Sequence, residues 1–206
     1  MDLKSILNKV NNHTPTILGS ETFSKFAVLI PLVMRDNEIN ILFEVRSQSL
    51  RRQPGEICFP GGRIDDQDKT EKDAAIRETT EELGISKSEI LDVHPLDYMV
   101  SPFGMIVYPY VGLLKNSTMI KPNPSEVGEV FMVPLTYFLE TNPEIYKVNL
   151  DIQPEKNFPL NLIQGGQDYK WRTLQMDEYF YSYDNKVIWG LTAKIISHFV
   201  EMIRDV

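Results

Sequence analysis

Three glutamates fall close together in the segment Arg77-Glu78-Thr79-Thr80-Glu81-Glu82. Glu78 and Glu82 are spaced to share one face of a helix, and Glu81 projects beside them. Glu71, two helical turns before Glu78, falls on the same stripe. Like charges at this spacing repel by about 0.2–0.5 kcal/mol per pair, and a bound cation reverses the sign. Carboxylates clustered without histidine or thiol suit a hard, oxygen-preferring ion, Mg²⁺ or Mn²⁺. Arg77, just before the cluster, can orient a carboxylate through a bidentate pair. A solvated acidic face is the alternative reading of any such pair of glutamates. The upstream Gly61-Gly62 favours a site, because bare backbone can approach a ligand and offer carbonyls to a metal or amides to a phosphate. Loop and acidic helix together read as a phosphate-plus-metal site.

The elements that must position these groups follow from pattern. Residues 70–84 are expected to be helical, with Thr70 as N-cap, Asp73 in the capping-box position and Gly84 at the stop. Residues 47–68 are polar and rich in Pro and Gly, which predicts a long structured loop with a short strand at 56–59. Residues 26–33 and 39–46 are β-rich runs joined by a hairpin turn at 35–38. Further strands are expected near 92–100, 105–114 and 129–133, and Pro134 starts a short helix through Leu139. Residues 140–168 read as irregular, and 169–183 as short strand-like runs rich in Tyr and Trp. Apolar residues at helical steps predict an amphipathic helix over 186–204, and a surface helix over 2–12 packed on the core. Alternating βα units are missing, so the expected class is α/β, a sandwich with a mixed central sheet rather than a doubly wound one. One domain spanning 1–206 is expected.

Composition narrows the function. The chain has 206 residues, of which 42% are hydrophobic, which suits a packed core and argues against disorder. The net charge of −8 disfavours non-specific nucleic-acid binding, so an anionic ligand would need a local basic patch, a bound cation or both. No apolar run approaches the roughly 20 residues that span a bilayer, and no membrane role is expected. The first ten residues hold no signal-peptide core, and the last four match no lipidation or organelle signal. Cys58 is the lone cysteine, so there is no disulfide framework, and a reducing cytoplasm is the expected compartment. Cys58 sits in an apolar run and reads as packing; His13, His94 and His198 show no local partner. The aromatics of 169–189 read as core or edge, with a stacking platform for a ligand or a homodimer contact as alternatives.

The segment from Gly61 to Ile85 resembles the Nudix box, the signature of the Nudix hydrolase superfamily. Arg77-Glu78-Thr79-Thr80-Glu81-Glu82-Leu83-Gly84-Ile85 fits its second half, with Thr79 in an apolar slot. In the first half, Gly62 to Arg77 is one residue longer than the general pattern, and Asp68 stands where the early Glu is usual. That departure is similar to the coenzyme A pyrophosphatase branch. So are the run Leu50-Arg51-Arg52-Gln53-Pro54-Gly55-Glu56-Ile57-Cys58-Phe59-Pro60-Gly61-Gly62 with the preceding Arg46-Ser47, and Trp189-Gly190-Leu191-Thr192-Ala193. The branch often has His where Gln53 stands. The resemblance covers roughly residues 25–200 and implies a Nudix-type α/β/α sandwich.

The resemblance also implies an activity: hydrolysis of the diphosphate of coenzyme A or its derivatives, with Mg²⁺ or Mn²⁺, to 3′,5′-ADP and 4′-phosphopantetheine. Glu78 and Glu82 would hold the metal, with Glu81 an adjacent ligand or base and a carbonyl near Gly61 or Gly62 completing the sphere. The general base varies in position across the superfamily; Glu126 and Glu129, flanking the last core strand, are the candidates, with a plain surface role as the alternative for each. Arg46, Arg51, Arg52 and Arg63 cluster around the loop, and guanidinium forks suit phosphate oxygens. Their alternative is pairing with Asp65, Asp66 or Asp68. Two other functions stay open: a Nudix hydrolase of another diphosphate such as ADP-ribose or a dinucleotide, and a non-catalytic binding module.

Overall fold

The structure is a computed structural model that describes residues 2–115 and 120–204; Asp205 and Val206 of the C-terminal tetrapeptide lie outside them. The hairpin expected around 35–38 joins β1 (Ser24–Arg35) and β2 (Glu38–Arg46), with Asp36 and Asn37 both at positive φ in its turn. Asn and Asp tolerate this backbone region better than other residues with a Cβ. β3 (Ile57–Cys58) pairs with β2, and β4 (Gly61–Arg63) pairs with β1. The helix α2 (Glu71–Leu83) follows, then β5 (Ile90–Pro95), β6 (Met99–Ser101) and β7 (Met105–Leu114). β8 (Val127–Pro134) leads into α3 (Leu135–Glu140).

These strands form one sheet ordered β3-β2-β1-β7-β5, with β4 also on β1, β6 on β7 and β8 on β2. β1 and β7 run parallel over ten residue pairs while the other pairings are antiparallel, so the sheet is mixed. Side chains alternate between faces. Ala27, Leu29 and Val33 of β1 meet Ala74, Ala75 and Leu83 of α2 on one side. Ile30 of β1 with Ile41 and Phe43 of β2 meet α3 and the C-terminal helix on the other. Helices therefore cover both faces, the α/β/α arrangement expected.

A second, three-stranded antiparallel sheet is built from β9 (Glu144–Leu150), β10 (Leu174–Tyr183) and β11 (Lys186–Trp189), ordered β11-β10-β9. Here the structure departs from expectation. The stretch taken as irregular contains β9, whose first six residues are all exposed, so burial leaves no alternating pattern to read. Of the aromatic stretch 169–183, residues 174–183 form the single strand β10, and Tyr169 and Trp171 precede it. The C-terminal helix, α4 (Gly190–Arg204), begins four residues later than expected, because Lys186–Trp189 pair with β10 and Gly190 at φ +63° turns the chain. The strand expected over 92–100 is broken into β5 and β6. The N-terminal helix α1 (Leu3–Asn11) forms, capped by Asp2, but buries nothing: Leu3, Leu7 and Val10 are exposed rather than packed on the core. Among the described residues no helix is long and apolar enough to cross a membrane.

Candidate active site

Thr70 caps α2 as expected, its hydroxyl accepting from the Asp73 N–H at 3.1 Å and donating to Asp73 Oδ2 at 2.9 Å. Ala74, Ala75, Thr79 and Leu83 press the helix onto the sheet, and Thr79 satisfies its buried hydroxyl on the Ala75 carbonyl at 2.7 Å. This slot, apolar in the general box, thus accepts a threonine without stranding a polar group. The orientation leaves Glu78 and Glu82 facing β4, with Glu81 more exposed at the edge.

The Gly-Gly strand packs directly against these carboxylates. Gly61 N–H donates to Glu82 Oε2 at 2.7 Å. A Cβ on Gly62 would lie 2.4 Å from Glu78 Cδ, and one on Gly61 would lie 2.4 Å from the Ala27 carbonyl oxygen. A side chain at position 61 would meet backbone, and one at position 62 would displace the Glu78 carboxyl. Arg77 ties loop to helix: Nε and Nη2 hold both oxygens of Asp68 at 3.0 and 2.8 Å, while Nη1 donates to Glu78 Oε1 at 2.8 Å. The bidentate pair expected of Arg77 therefore falls on Asp68, the residue in the variant box position.

The C-terminal end of α2 captures a further loop. Lys121 N–H donates to the Leu83 carbonyl and Asn123 N–H to the Glu82 carbonyl, each at 2.9 Å. These bonds satisfy helix-end acceptors and swing the following Glu126 toward the cluster. The Glu126 charge acts on both Glu78 and Glu82. Glu129 is not brought in. It points to the other side and pairs with Lys186, which itself lies over the Phe131 ring.

Electrostatics mark the cluster as strained for lack of positive charge. Burial pushes the Glu82 carboxyl well above the usual carboxylate range, partly offset by the Gly61 N–H, and Glu78 and Glu126 push it further. Burial likewise raises Glu78, against the pull of Arg77. Such groups favour a neutral form unless a cation arrives. The donor set is all carboxylate and backbone carbonyl, the chemistry of Mg²⁺ or Mn²⁺. The donor types suit a divalent cation, although among the described residues no three His, Cys, Asp or Glu side chains stand close enough together to hold one as they lie. Arg77 and the Gly61 N–H hold one oxygen each of Glu78 and Glu82.

Arg46, Arg51, Arg52 and Arg63 make no ion pair within 4 Å among the described residues. Asp65 and Asp68 pair instead with Arg77, so the self-paired alternative for these arginines does not hold. Arg51, Arg52 and Arg63 are exposed. Arg46 lines a cavity of about 240 Å³ together with Gln53, Cys58, Glu178, Trp189 and Thr192. Gln53 has a local role, donating to Glu56 Oε2 at 2.9 Å from a backbone at φ +52°. Thr192 closes the cavity by donating to the Ile57 carbonyl at 3.1 Å. Of the aromatic group, Tyr181 is core, and Trp189 stacks on Phe180 at this cavity's rim. Burial pushes the Cys58 thiol up to about 12, which suits packing and not nucleophilic attack. His198, expected to stand alone, lies 3.0 Å from Asp97 Oδ2.

The NUDIX domain profile matches residues 24–150, from β1 through β9. The chain belongs to the Nudix family. Among Nudix relatives, it is 38% identical over 141 residues to a Mus musculus protein named peroxisomal coenzyme A diphosphatase; the match covers 68% of this chain and 59% of that protein. The chain therefore spans less than two thirds of that relative's length. It is 32% identical over 178 residues to NudL of Photorhabdus laumondii, an uncharacterized Nudix hydrolase, covering 86% of this chain and 84% of that one. The crystal structure of a MutT/nudix family protein from Enterococcus faecalis aligns with a TM-score of 0.54 over 99% of this chain and 70% of that one, at 14% identity, a likeness of fold.

One residue of the site escaped the reading of the sequence. Glu44 of β2 is 1% exposed and lies against Glu82. Its signal was a charged residue in the middle of the apolar run Ile41-Leu42-Phe43-Glu44-Val45.

Proposed function

We propose that this chain hydrolyses the diphosphate of coenzyme A or its derivatives in a reaction dependent on Mg²⁺ or Mn²⁺, releasing 3′,5′-ADP and 4′-phosphopantetheine or its acyl form. The observation that carries the reading is the packing of Glu78 and Glu82 against the Gly61-Gly62 backbone of β4, beside loop arginines that have no carboxylate partner among the described residues. The similarity to a coenzyme A diphosphatase supports the choice of substrate.

Glu78 and Glu82 would hold the cation, with Glu81 beside them and a carbonyl of Gly61 or Gly62 in reach. When bound, a divalent ion offsets diphosphate charge and lowers the pKa of bound water. The arginines do the rest of the anion binding: Arg51 or Arg52 takes the 3′-phosphate, and Arg46 and Arg63 flank the diphosphate. Glu126 is the general base, accepting the proton of the attacking water; Glu129, turned away to Lys186, leaves that role. Trp189 offers a flat surface for the adenine or the pantetheine arm at the cavity it shares with Arg46 and Gln53. The cytoplasm is the compartment proposed, where a lone free thiol such as Cys58 stays reduced.

The test is mass-spectrometric identification of products from a panel of free, oxidised and acylated coenzyme A, ADP-ribose and dinucleotides, run in H₂¹⁸O with each metal. Cleavage of a coenzyme A species to the two named products, with label in one of them, is expected. Preferential cleavage of ADP-ribose would displace coenzyme A, and no turnover of any member would revive the binding-module reading.

A further inference from the structure

Glu44 sits on β2 with its side chain on the same sheet face as Leu42, the face covered by α2. It is 1% exposed, and its Oε1 has no hydrogen-bond partner among the described residues. Its cross-strand neighbours are Cys58 on β3 and Val130 on β8, neither of which supplies a strong donor. On the open side the charges of Glu82 and Glu126 both reach it. Arg46, two residues along the strand, is near enough to be felt but makes no ion pair with either acid, and its own Nε is buried without a partner.

A buried carboxylate oxygen left unpaired beside another buried carboxylate is costly. A sheet interior offers cheaper residues for that position, so the group calls for a ligand. The charge deficit lies on the side where Glu82 and Glu78 face β4. We propose that Glu44 is a further carboxylate of the cation site, meeting the ion from the sheet side where Glu78 and Glu82 meet it from the helix. The inference rests on the reading that Glu78 and Glu82 hold the ion. It adds a ligand from outside the acidic helix.

The competing account is a protonated Glu44 that only hydrogen-bonds to Glu82. The two separate by Mn²⁺ binding in the absence of substrate. The metal-free full-length protein is titrated with Mn²⁺ by calorimetry, and bound ion is counted by electron paramagnetic resonance, for the parent, Glu44→Gln, Glu44→Asp and Glu82→Gln. Glu44→Gln keeps shape and hydrogen bonding but cannot ligate as a carboxylate. It is expected to weaken Mn²⁺ binding by about tenfold or more, while Glu44→Asp retains part of the affinity. Parent-like Mn²⁺ affinity in Glu44→Gln, with Glu82→Gln impaired, would overturn the role of Glu44 alone. Parent-like affinity in both would overturn the reading of the cation site as well. Should Glu44→Gln fail to fold, anomalous diffraction from parent crystals soaked in Mn²⁺ decides. A manganese peak in coordination range of a Glu44 oxygen upholds the proposal, and a peak ligated without Glu44 refutes it.

Discussion

The Glu78 carboxyl fills the space that a side chain on Gly62 would need: an added Cβ would lie 2.4 to 2.6 Å from its three carboxyl atoms. The glycine is thus required by the position of an acid sixteen residues later. Gly62→Ala should displace Glu78 from the cluster, lowering turnover while the melting temperature stays near that of the parent, since the clash falls on a flexible side chain. Gly61→Ala meets the backbone at Ala27 and Val28 and should instead cost about 1–3 kcal/mol of stability. Thermal melts and steady-state rates on the two variants check the contrast; a destabilised Gly62→Ala with intact turnover of the folded fraction would contradict it.

Removal of divalent metal should abolish hydrolysis, and Mg²⁺ or Mn²⁺ should restore it. Glu82→Gln should then lower kcat/KM by at least about a hundredfold at saturating metal. The substitution neutralises an acid whose burial is costly, so the metal-free variant should melt no lower than the parent. A Glu82→Gln enzyme with unchanged turnover would remove the carboxylate cluster from the chemistry.

Arg51→Ala and Arg52→Ala should raise KM for coenzyme A more than for the same molecule lacking its 3′-phosphate. Both side chains are exposed and have no acidic partner among the described residues, so neither change should disturb the fold. Equal effects on the two substrates would assign these arginines to general anion attraction.

Glu126 and Glu129 stand three residues apart but face different surroundings. Glu126→Gln should lower kcat by about 10²–10⁴ with little change in KM, the range of a lost general base. Glu129→Gln breaks only a partly exposed pair with Lys186 and should leave kcat within about twofold. Reversal of the two outcomes would move the base to the other side of β8.

The Asp68–Arg77 link predicts an acid limb in stability. Hydrogen bonds from Arg77 hold the Asp68 carboxyl below its ordinary value of 3.8. Its folded-state pKa is therefore depressed, and its stabilising contribution is fully present above pH 3.8 and lost as pH falls through the folded value. Asp68→Asn should cost about 1.5–3 kcal/mol near neutrality and flatten the acid limb. Melts from about pH 3 to pH 7 follow both effects; an unchanged limb would show that other acids set it.

What could be read from sequence divides by the range of the interaction. The helix carrying Glu78, Glu81 and Glu82 was legible because spacing, Thr70 and Gly84 all act within a few residues. The hairpin of β1 and β2 was legible for the same reason. β9 was not: its faces are both wet, and what fixes it is pairing with β10, as in Ile145 against Tyr179. The start of α4 was misplaced because Val187 and Ile188 suit strand or helix, and only the register with Tyr181 and Ser182 decides. The spacing of Leu3, Ile6, Leu7 and Val10 gave a helix but no information on what it would touch. In the site, Arg77 was recognised as a clamp, while its partner Asp68 emerged only when the loop was seen folded back. Glu126 and Glu129 were equivalent as letters and were separated by the bonds that Lys121 and Asn123 make to the end of α2.

β4, which carries Gly61 and Gly62, is hydrogen-bonded to β1, and β1 lies in the middle of the sheet between β2 and β7. Shifting that strand would mean opening the ladder at its centre, so the Gly-Gly side of the candidate site is anchored to the middle of the sheet. The run from Ser47 to Glu56 lies outside that ladder, held by Arg46 N–H to the Glu56 carbonyl at 2.9 Å, by Ser47 N–H to the Glu126 carbonyl at 2.8 Å, and by the Ser47 and Ser49 hydroxyls on the Pro124 and Ser125 carbonyls. A change of substrate preference should therefore be sought by remodelling residues outside the central strands, with Gly61 and Gly62 left in place.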